Sequence, residues 1–196
     1  MARIKPTGNF SKQELILAKA ALLFRKSGYT ATSMRALAEE LGIEAPSLYN
    51  HFSSKNEILQ KICFNTADIF NNNINREIIS KENCSLILEN LIRFHVRKML
   101  KDFDFVYVSD HEWRHLPSQL VTDYLNQRKT YEDKMVKIVE KGIAKGEFKK
   151  IYPYSAVLTI LSAVRGLETW QKRKRRIFET DLENDIVNHL LYGLKK

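Results

Sequence analysis

Two groups of residues in this chain have the types and spacing that chemistry or recognition requires. The first is His111-Glu112-Trp113-Arg114-His115, an H-E-x-x-H sequence. On a helix, histidines four apart share a face and can bind one zinc ion, with the glutamate as general base. Such a site needs a third protein ligand, for which His95 and Glu132 are the candidates. Pro117 cuts the helix short, however, where a zinc-peptidase helix continues past its motif. The expectation is no catalytic residue, no metal and no cofactor. A zinc metallohydrolase built on His111, Glu112 and His115 is the alternative. The second group is Ser47, Asn50 and His51, hydrogen-bonding side chains left on the outer side of a short helix whose Leu48 and Phe52 point inward.

The elements that carry these groups are marked by helix punctuation. Ser11 with Glu14, Ser54 with Glu57 and Thr180 with Glu183 each have the spacing of a capping box. The first helix is expected from Ser11 to about Ser27, with Ile16, Ala20, Leu23 and Phe24 on one face and Gly28 as its stop. A second runs from Ser33 to Leu41 and is broken by Gly42. A third runs from Ala45 to Phe52 with Pro46 in its first turn. Two short helices joined by a glycine turn make a helix-turn-helix, a pattern that a corner of a plain helical bundle also shows. Further helices are expected at 55–79, 86–101, 104–115, 118–145, 154–175 and 181–194. The class is all-α, with a three-helix segment in residues 1–55 and a larger helical domain in 56–196.

Composition narrows the partners. The 196 residues carry 32 Lys and Arg against 23 Asp and Glu, a net charge of +9. That excess favours a polyanion, nucleic acid first and an anionic membrane surface second. Residues 1–55 hold eight bases against four acids, and Lys172-Arg173-Lys174-Arg175-Arg176 forms one basic run. The run reads either as a solvated helix end or as a patch for ligand phosphates or flanking DNA. No apolar stretch approaches the ~18 residues of a membrane span, and Met1 to Phe10 lacks a signal-peptide core. Two cysteines, Cys63 and Cys84, cannot form a disulfide framework. A cytoplasmic protein with no membrane partner is expected.

Thr32-Ser33-Met34-Arg35-Ala36-Leu37-Ala38, then Gly42-Ile43, then Ser47-Leu48-Tyr49-Asn50-His51-Phe52 with Ser54-Lys55, resembles the N-terminal domain of the TetR family of transcriptional regulators. Glu44 stands where that family usually has a hydroxyl residue. The resemblance implies a repressor that binds a palindromic double-stranded DNA operator as a homodimer and is released by a small-molecule effector. A major groove about 12 Å wide admits one helix. Ser47, Asn50 and His51, with Ala45 and Pro46 at the leading end, are then the base-facing candidates. Tyr49, Thr32, Ser33 and Lys55 are candidates for phosphate, Arg35 for backbone or base, and Arg3 and Lys5 for an arm near the duplex.

The remaining chain resembles the regulatory domain of the same family. Ile186, Val187, Leu190, Leu191 and Leu194, with Val157, Leu158, Leu161, Val164 and Leu167, would form a four-helix dimer interface or simply core. Glu112-Trp113-Arg114-His115-Leu116, Arg128 and Tyr131, and the stretches Ile143 to Phe148 and Ile160 to Trp170 are similar to a subgroup that senses acyl-CoA-type thioesters. The expected effector is therefore a fatty acid, an acyl-CoA or a related hydrophobic molecule. Phe94, Phe103, Tyr107, Trp113, Tyr124, Arg128, Tyr131 and Trp170 are the pocket candidates, although aromatics at helical spacing also build plain cores.

Overall fold

Residues 11–80, 83–173 and 178–194 are described by the computed structural model. Among them lie ten helices: α1 (Lys12–Ser27), α2 (Met34–Glu40), α3 (Ala45–Tyr49), α4 (Lys55–Ser80), α5 (Cys84–Lys101), α6 (Phe103–His111), α7 (Ser118–Ala144), α8 (Pro153–Arg165), α9 (Leu167–Arg173) and α10 (Glu179–Tyr192). A 3-10 turn, Trp113–His115, follows α6. No strand occurs among the described residues, and the all-α expectation holds. Arg3, Lys5 and the side chains of Lys172 to Arg176 lie outside the described residues. No described helix is long and apolar enough to cross a membrane.

Contacts divide the chain into two compact units. The first comprises the described part of Met1–Ala67 together with Asp104–Leu125; the second comprises Asp68–Phe103 and the described part of Asn126–Lys196. The linear boundary expected after residue 55 is therefore not where contacts separate. The reason lies in the first unit's core. Ile16, Ala20 and Phe24 of α1, Leu37 of α2, Leu48 of α3 and Ile58, Leu59 and Ile62 of α4 share one buried cluster with Val108, Leu116 and Tyr124. Arg25 of α1 pairs with Asp104 of α6. The Tyr124 hydroxyl donates to the Ser109 carbonyl at 2.6 Å, so the Ser109 hydroxyl donates to Tyr124 in turn, also at 2.6 Å. No polar group of this pair is left bare in the core.

In the second unit α5 is the common partner, with α8, α9 and α10 all packed on it. Asn83 caps it, its side-chain oxygen accepting from the Leu86 N–H at 2.9 Å. Inward residues Ile87, Leu88, Leu91, Ile92 and Val96 follow helical spacing and are buried. The helix expected over 154–175 is two helices, because Gly166, a poor helix former, ends α8 before α9 starts at Leu167. The helix expected over 104–115 likewise stops at His111 and continues only as the 3-10 turn.

The three capping boxes have three different outcomes. Ser11 and Glu14 form the full reciprocal pair. Ser54 accepts from the Glu57 N–H, but Glu57 reaches back to the N–H and hydroxyl of Ser53, both at 2.7 Å. The box at Thr180 is not made: α10 starts at Glu179, after Phe178. Glu183 is held instead by Arg97, at 2.8 and 2.9 Å, and by Arg93 at 3.2 Å. Burial pushes the Glu183 carboxyl up, and the hydrogen bonds and charges of the two guanidiniums more than reverse this, leaving it below the usual range. A buried carboxylate shared by two arginines thus joins α10 to α5.

The end of α7 doubles back on itself. The Gly142 carbonyl accepts from Glu147 and Phe148, and Glu147 accepts from the Ser85 N–H at 2.8 Å. This seats the buried Phe148 ring directly over Gly142, where an added Cβ would stand 2.3 Å from two ring carbons. Gly142→Ala should destabilise the second unit by about 1–3 kcal/mol through overpacking, read as a lowered denaturant midpoint. A second expectation concerns Glu183. Its folded pKa is depressed, so its contribution is present above the unfolded value and lost as pH falls through the folded one. Glu183→Gln should lower Tm at pH 7, and the gap between variant and parent should close below about pH 4.

Candidate nucleic-acid interface

The candidate edge is built from α2, a turn and α3. Ser33 accepts from the Ala36 N–H at 3.0 Å and so starts α2. Gly42, at φ 66°, reverses the chain; its N–H donates to Glu39 and the Ile43 N–H to the Ala38 carbonyl, each at 3.0 Å. A side chain at that backbone angle would be strained. Pro46 lies in the first turn of α3, and Glu44 precedes it without a side-chain cap. Leu48 is fully buried. Around it Pro46, Ser47, Tyr49 and Asn50 are exposed, with Ala45 and His51 partly so. The helix is shorter than expected: it ends at Tyr49, and Asn50 and His51 occupy the turn that follows. The Leu48 carbonyl accepts from both His51 and Phe52, at 2.9 and 3.1 Å, which shapes that turn.

The expected phosphate-side residues fall into two groups. Ser33 uses its oxygen as a cap, and its own hydroxyl proton remains able to donate outward. Arg35 is highly exposed and pairs with Glu39 at 3.1 Å, one turn along α2. Thr32 and Lys55 instead face the protein. Thr32 is buried, and its hydroxyl donates to the Gly28 carbonyl at 2.9 Å. The Lys55 ammonium donates to the carbonyls of Thr32 at 2.7 Å and Tyr29 at 2.8 Å, with Thr30 at 3.4 Å. It also stands 4.3 Å from the centre of the Tyr29 ring. Burial holds its pKa below the ordinary lysine value. Tyr29, which the sequence did not single out, packs edge-on to Phe24 and donates its hydroxyl to Asn56. Its legible signal was only its place just after the glycine that ends α1.

The pocket candidates divide between the two units. Tyr107, Trp113 and Tyr124 belong to the first, where Tyr124 is core. Phe94, Phe103, Arg128, Tyr131 and Trp170 belong to the second. There Phe94 meets Phe70 edge-on, with ring centres 5.4 Å apart. The Tyr131 hydroxyl lies 2.7 Å from His95 Nε2, and full burial drives its pKa far upward. Trp170 Nε1 is buried with no hydrogen-bond partner among the described residues. Phe70 and His95 join this aromatic group without having been pocket candidates.

The zinc-peptidase alternative finds no support. Because α6 ends at His111, the two histidines are not on successive turns of one helix. The His111 ring stacks on Tyr107 at 4.3 Å and that of His115 on Tyr29 at 5.1 Å. The supposed general base, Glu112, lies 3.4 Å from His115 Nε2. His95 and Glu132, the possible third ligands, belong to the second unit. Among the described residues no group of three or more His, Cys, Asp or Glu is placed to hold a metal ion.

Comparison with known proteins identifies the family. A family model described as bacterial regulatory proteins, tetR family, matches residues 16–62. A second, described as tetracyclin repressor-like, C-terminal domain, matches residues 87–194. The HTH-type transcriptional repressor KstR2 of Mycobacterium tuberculosis (strain CDC 1551 / Oshkosh) is 29% identical over 150 residues, covering 76% of this chain and 74% of its own. The protein of the same name from Rhodococcus jostii is 26% identical over 144 residues, covering 73% and 71%. Among solved structures, the ketosteroid transcriptional regulator KstR2 of Mycobacterium tuberculosis superposes with a TM-score of 0.87 at 22% identity, over 99% of this chain and 100% of that one. AibR in complex with isovaleryl coenzyme A and operator DNA has a TM-score of 0.81 at 21% identity, over 92% and 98%. The likeness to these two solved structures is one of fold. With a regulatory-protein match at the helix-turn-helix and a repressor-like match over more than half its length, the chain belongs to the tetR family of bacterial regulatory proteins.

Proposed function

We propose that this protein is a sequence-specific transcriptional repressor that binds a palindromic operator as a homodimer and leaves it when a hydrophobic or acyl-CoA-like effector binds. The observation that carries the reading is the two-sidedness of α3. Leu48 is locked in the core, while Ser47 and Asn50 are exposed and Tyr49 is half-exposed. Asn50 can make the paired hydrogen bonds that adenine accepts and donates in the major groove, and Ser47 can bond to several base edges. Tyr49, Ser33 and Arg35 reach toward phosphate, which fixes register and not sequence. His51 is assigned to backbone or base at the end of the same edge, and Ala45 and Pro46 to its leading end.

Dimerisation supplies the second reading edge, since half-sites one helical turn apart need two recognition helices about 34–36 Å apart. Val157, Val164 and Leu167, and Val187, Leu191 and Leu194, are buried within the chain. Tyr154, Leu158 and Leu161 remain in part uncovered along one side of α8, and Ile186 and Leu190 along α10. Such apolar stripes on helices at the end of a chain suit a second copy. An effector that prefers one arrangement of the dimer then shifts the population away from the operator-competent one. The acyl-CoA class is supported by the resemblance of the C-terminal half and by AibR, whose solved complex contains isovaleryl coenzyme A.

Selection from random duplex DNA is the direct test. It should return a two-fold symmetric site, and a folded protein indifferent to every duplex would overturn the reading. On that site Tyr49→Ala should weaken binding by a similar factor across base variants. Asn50→Ala should cost about 1–3 kcal/mol and relax preference at one position of each half-site, measured by fluorescence anisotropy. Leu158→Glu should convert the dimer to monomer in sedimentation and abolish operator binding. A screen of CoA thioesters and fatty acids by thermal shift should find one that raises Tm and releases DNA.

A further inference from the structure

We infer that Lys55 is a positioning residue for the reading edge: its partly buried ammonium clamps the turn between α1 and α2 and does not contact DNA phosphate. The inference rests on the DNA-binding reading of this unit. An ammonium has three N–H donors and no acceptor. Here three carbonyls of one short segment surround it, Tyr29 at 2.8 Å, Thr32 at 2.7 Å and Thr30 at 3.4 Å. The tyrosine ring adds an aromatic surface for the charge, 4.3 Å away. Turning the amine toward a duplex would leave the Tyr29 and Thr32 carbonyls without this donor. Thr32 is the residue immediately before Ser33, the cap of α2. Its hydroxyl is bonded back to Gly28, so main chain and side chain are both fixed. Lys55 is itself the first residue of α4. The clamp therefore ties the start of α4 to the start of α2, the two helices that flank α3 in sequence, and sets where the reading edge is held.

The two roles for Lys55 predict different behaviour in DNA binding. A phosphate contact weakens all duplexes alike when lost and lowers the salt slope by about 0.9. A clamp affects the shape of the edge, so its loss reduces operator affinity, leaves binding to a scrambled duplex almost unchanged and preserves the salt slope. Lys55→Arg is the sharper variant. A guanidinium serves a phosphate as well as an ammonium does, but its planar fork cannot point three donors at these carbonyls. With the full-length protein, Lys55→Arg and Lys55→Met should each lower the ratio of operator to scrambled-duplex affinity by about tenfold or more. Their circular dichroism should match the parent. Retained operator affinity in Lys55→Arg, or an equal loss on both duplexes with a reduced slope, would overturn the inference.

Amine labelling followed by mass spectrometry reads the same question in the unmodified protein. Lys55 should react several-fold more slowly than the exposed Lys12, Lys26 and Lys61, and adding duplex should not change its rate. Rapid labelling in free protein that duplex then suppresses would identify a phosphate contact and end the proposal. This measurement holds even if Lys55→Met does not fold. A parent protein that binds no duplex would count against the DNA-binding reading, while the free-protein labelling would still report on the clamp.

Discussion

A five-residue helix cannot persist in water by itself, because nucleation fixes more backbone than its few hydrogen bonds return. Helix α3 exists because Leu48 is inserted into a core shared by α1, α2, α4 and α6. The outward side chains of α3 inherit their placement from that one buried leucine and from the turns on either side. Gly42 sets the approach by adopting a backbone angle that other residues resist, and the Leu48 carbonyl sets the exit by accepting two N–H groups. The recognition surface is thus a property of the unit's core and not of the helix that displays it. This also explains why Asp104–Leu125 belongs with the N-terminal residues. A core that must hold so short a helix draws on Val108, Leu116 and Tyr124 as well.

The second unit solves a different problem. Most of its helices are longer than α3, and what has to be fixed is which neighbour each packs on. Helix α5 receives α8, α9 and α10. The buried Glu183 matches two arginines of α5, so sliding α10 by a turn would strand a carboxylate in an apolar setting. The Phe148 ring over Gly142 acts in the same spirit by steric fit, since only a residue without a side chain leaves room for it. His95 and Tyr131 place a buried polar pair among Phe70 and Phe94, giving an otherwise apolar region one directional feature.

Much of the fold was legible because it depends on local rules. Ser11 and Glu14, Gly28, Gly42 and Pro46 mark helix ends through backbone chemistry that needs no distant partner, and the helices start and stop near them. The split of the long C-terminal helix at Gly166 was missed because one glycine inside an apolar periodic run is compatible with continuation. The box at Thr180 failed for the opposite reason. Its glutamate had a better partner ninety residues away in Arg93, which no local pattern records. Side-chain direction was the least legible property. Lys55 follows the expected spacing, yet its amine faces inward, a consequence of three carbonyls that only the folded turn brings together. The H-E-x-x-H pentapeptide misled likewise, since its meaning depends on a helix that ends at the first histidine.

The outer side of α3 has a further consequence for the protein's history. Ser47 and Asn50 are exposed and Tyr49 is half so, whereas Leu48 between them is fully buried, so exchange at the outer positions disturbs the core far less than exchange at Leu48. Neither α3 nor the glutamate before it contributes positive charge, so in the proposed role this edge would discriminate through matched donors and acceptors. If those side chains read the operator as proposed, a lineage carrying this scaffold can drift from one target site to another through a few surface codons while Leu48 keeps the helix in place.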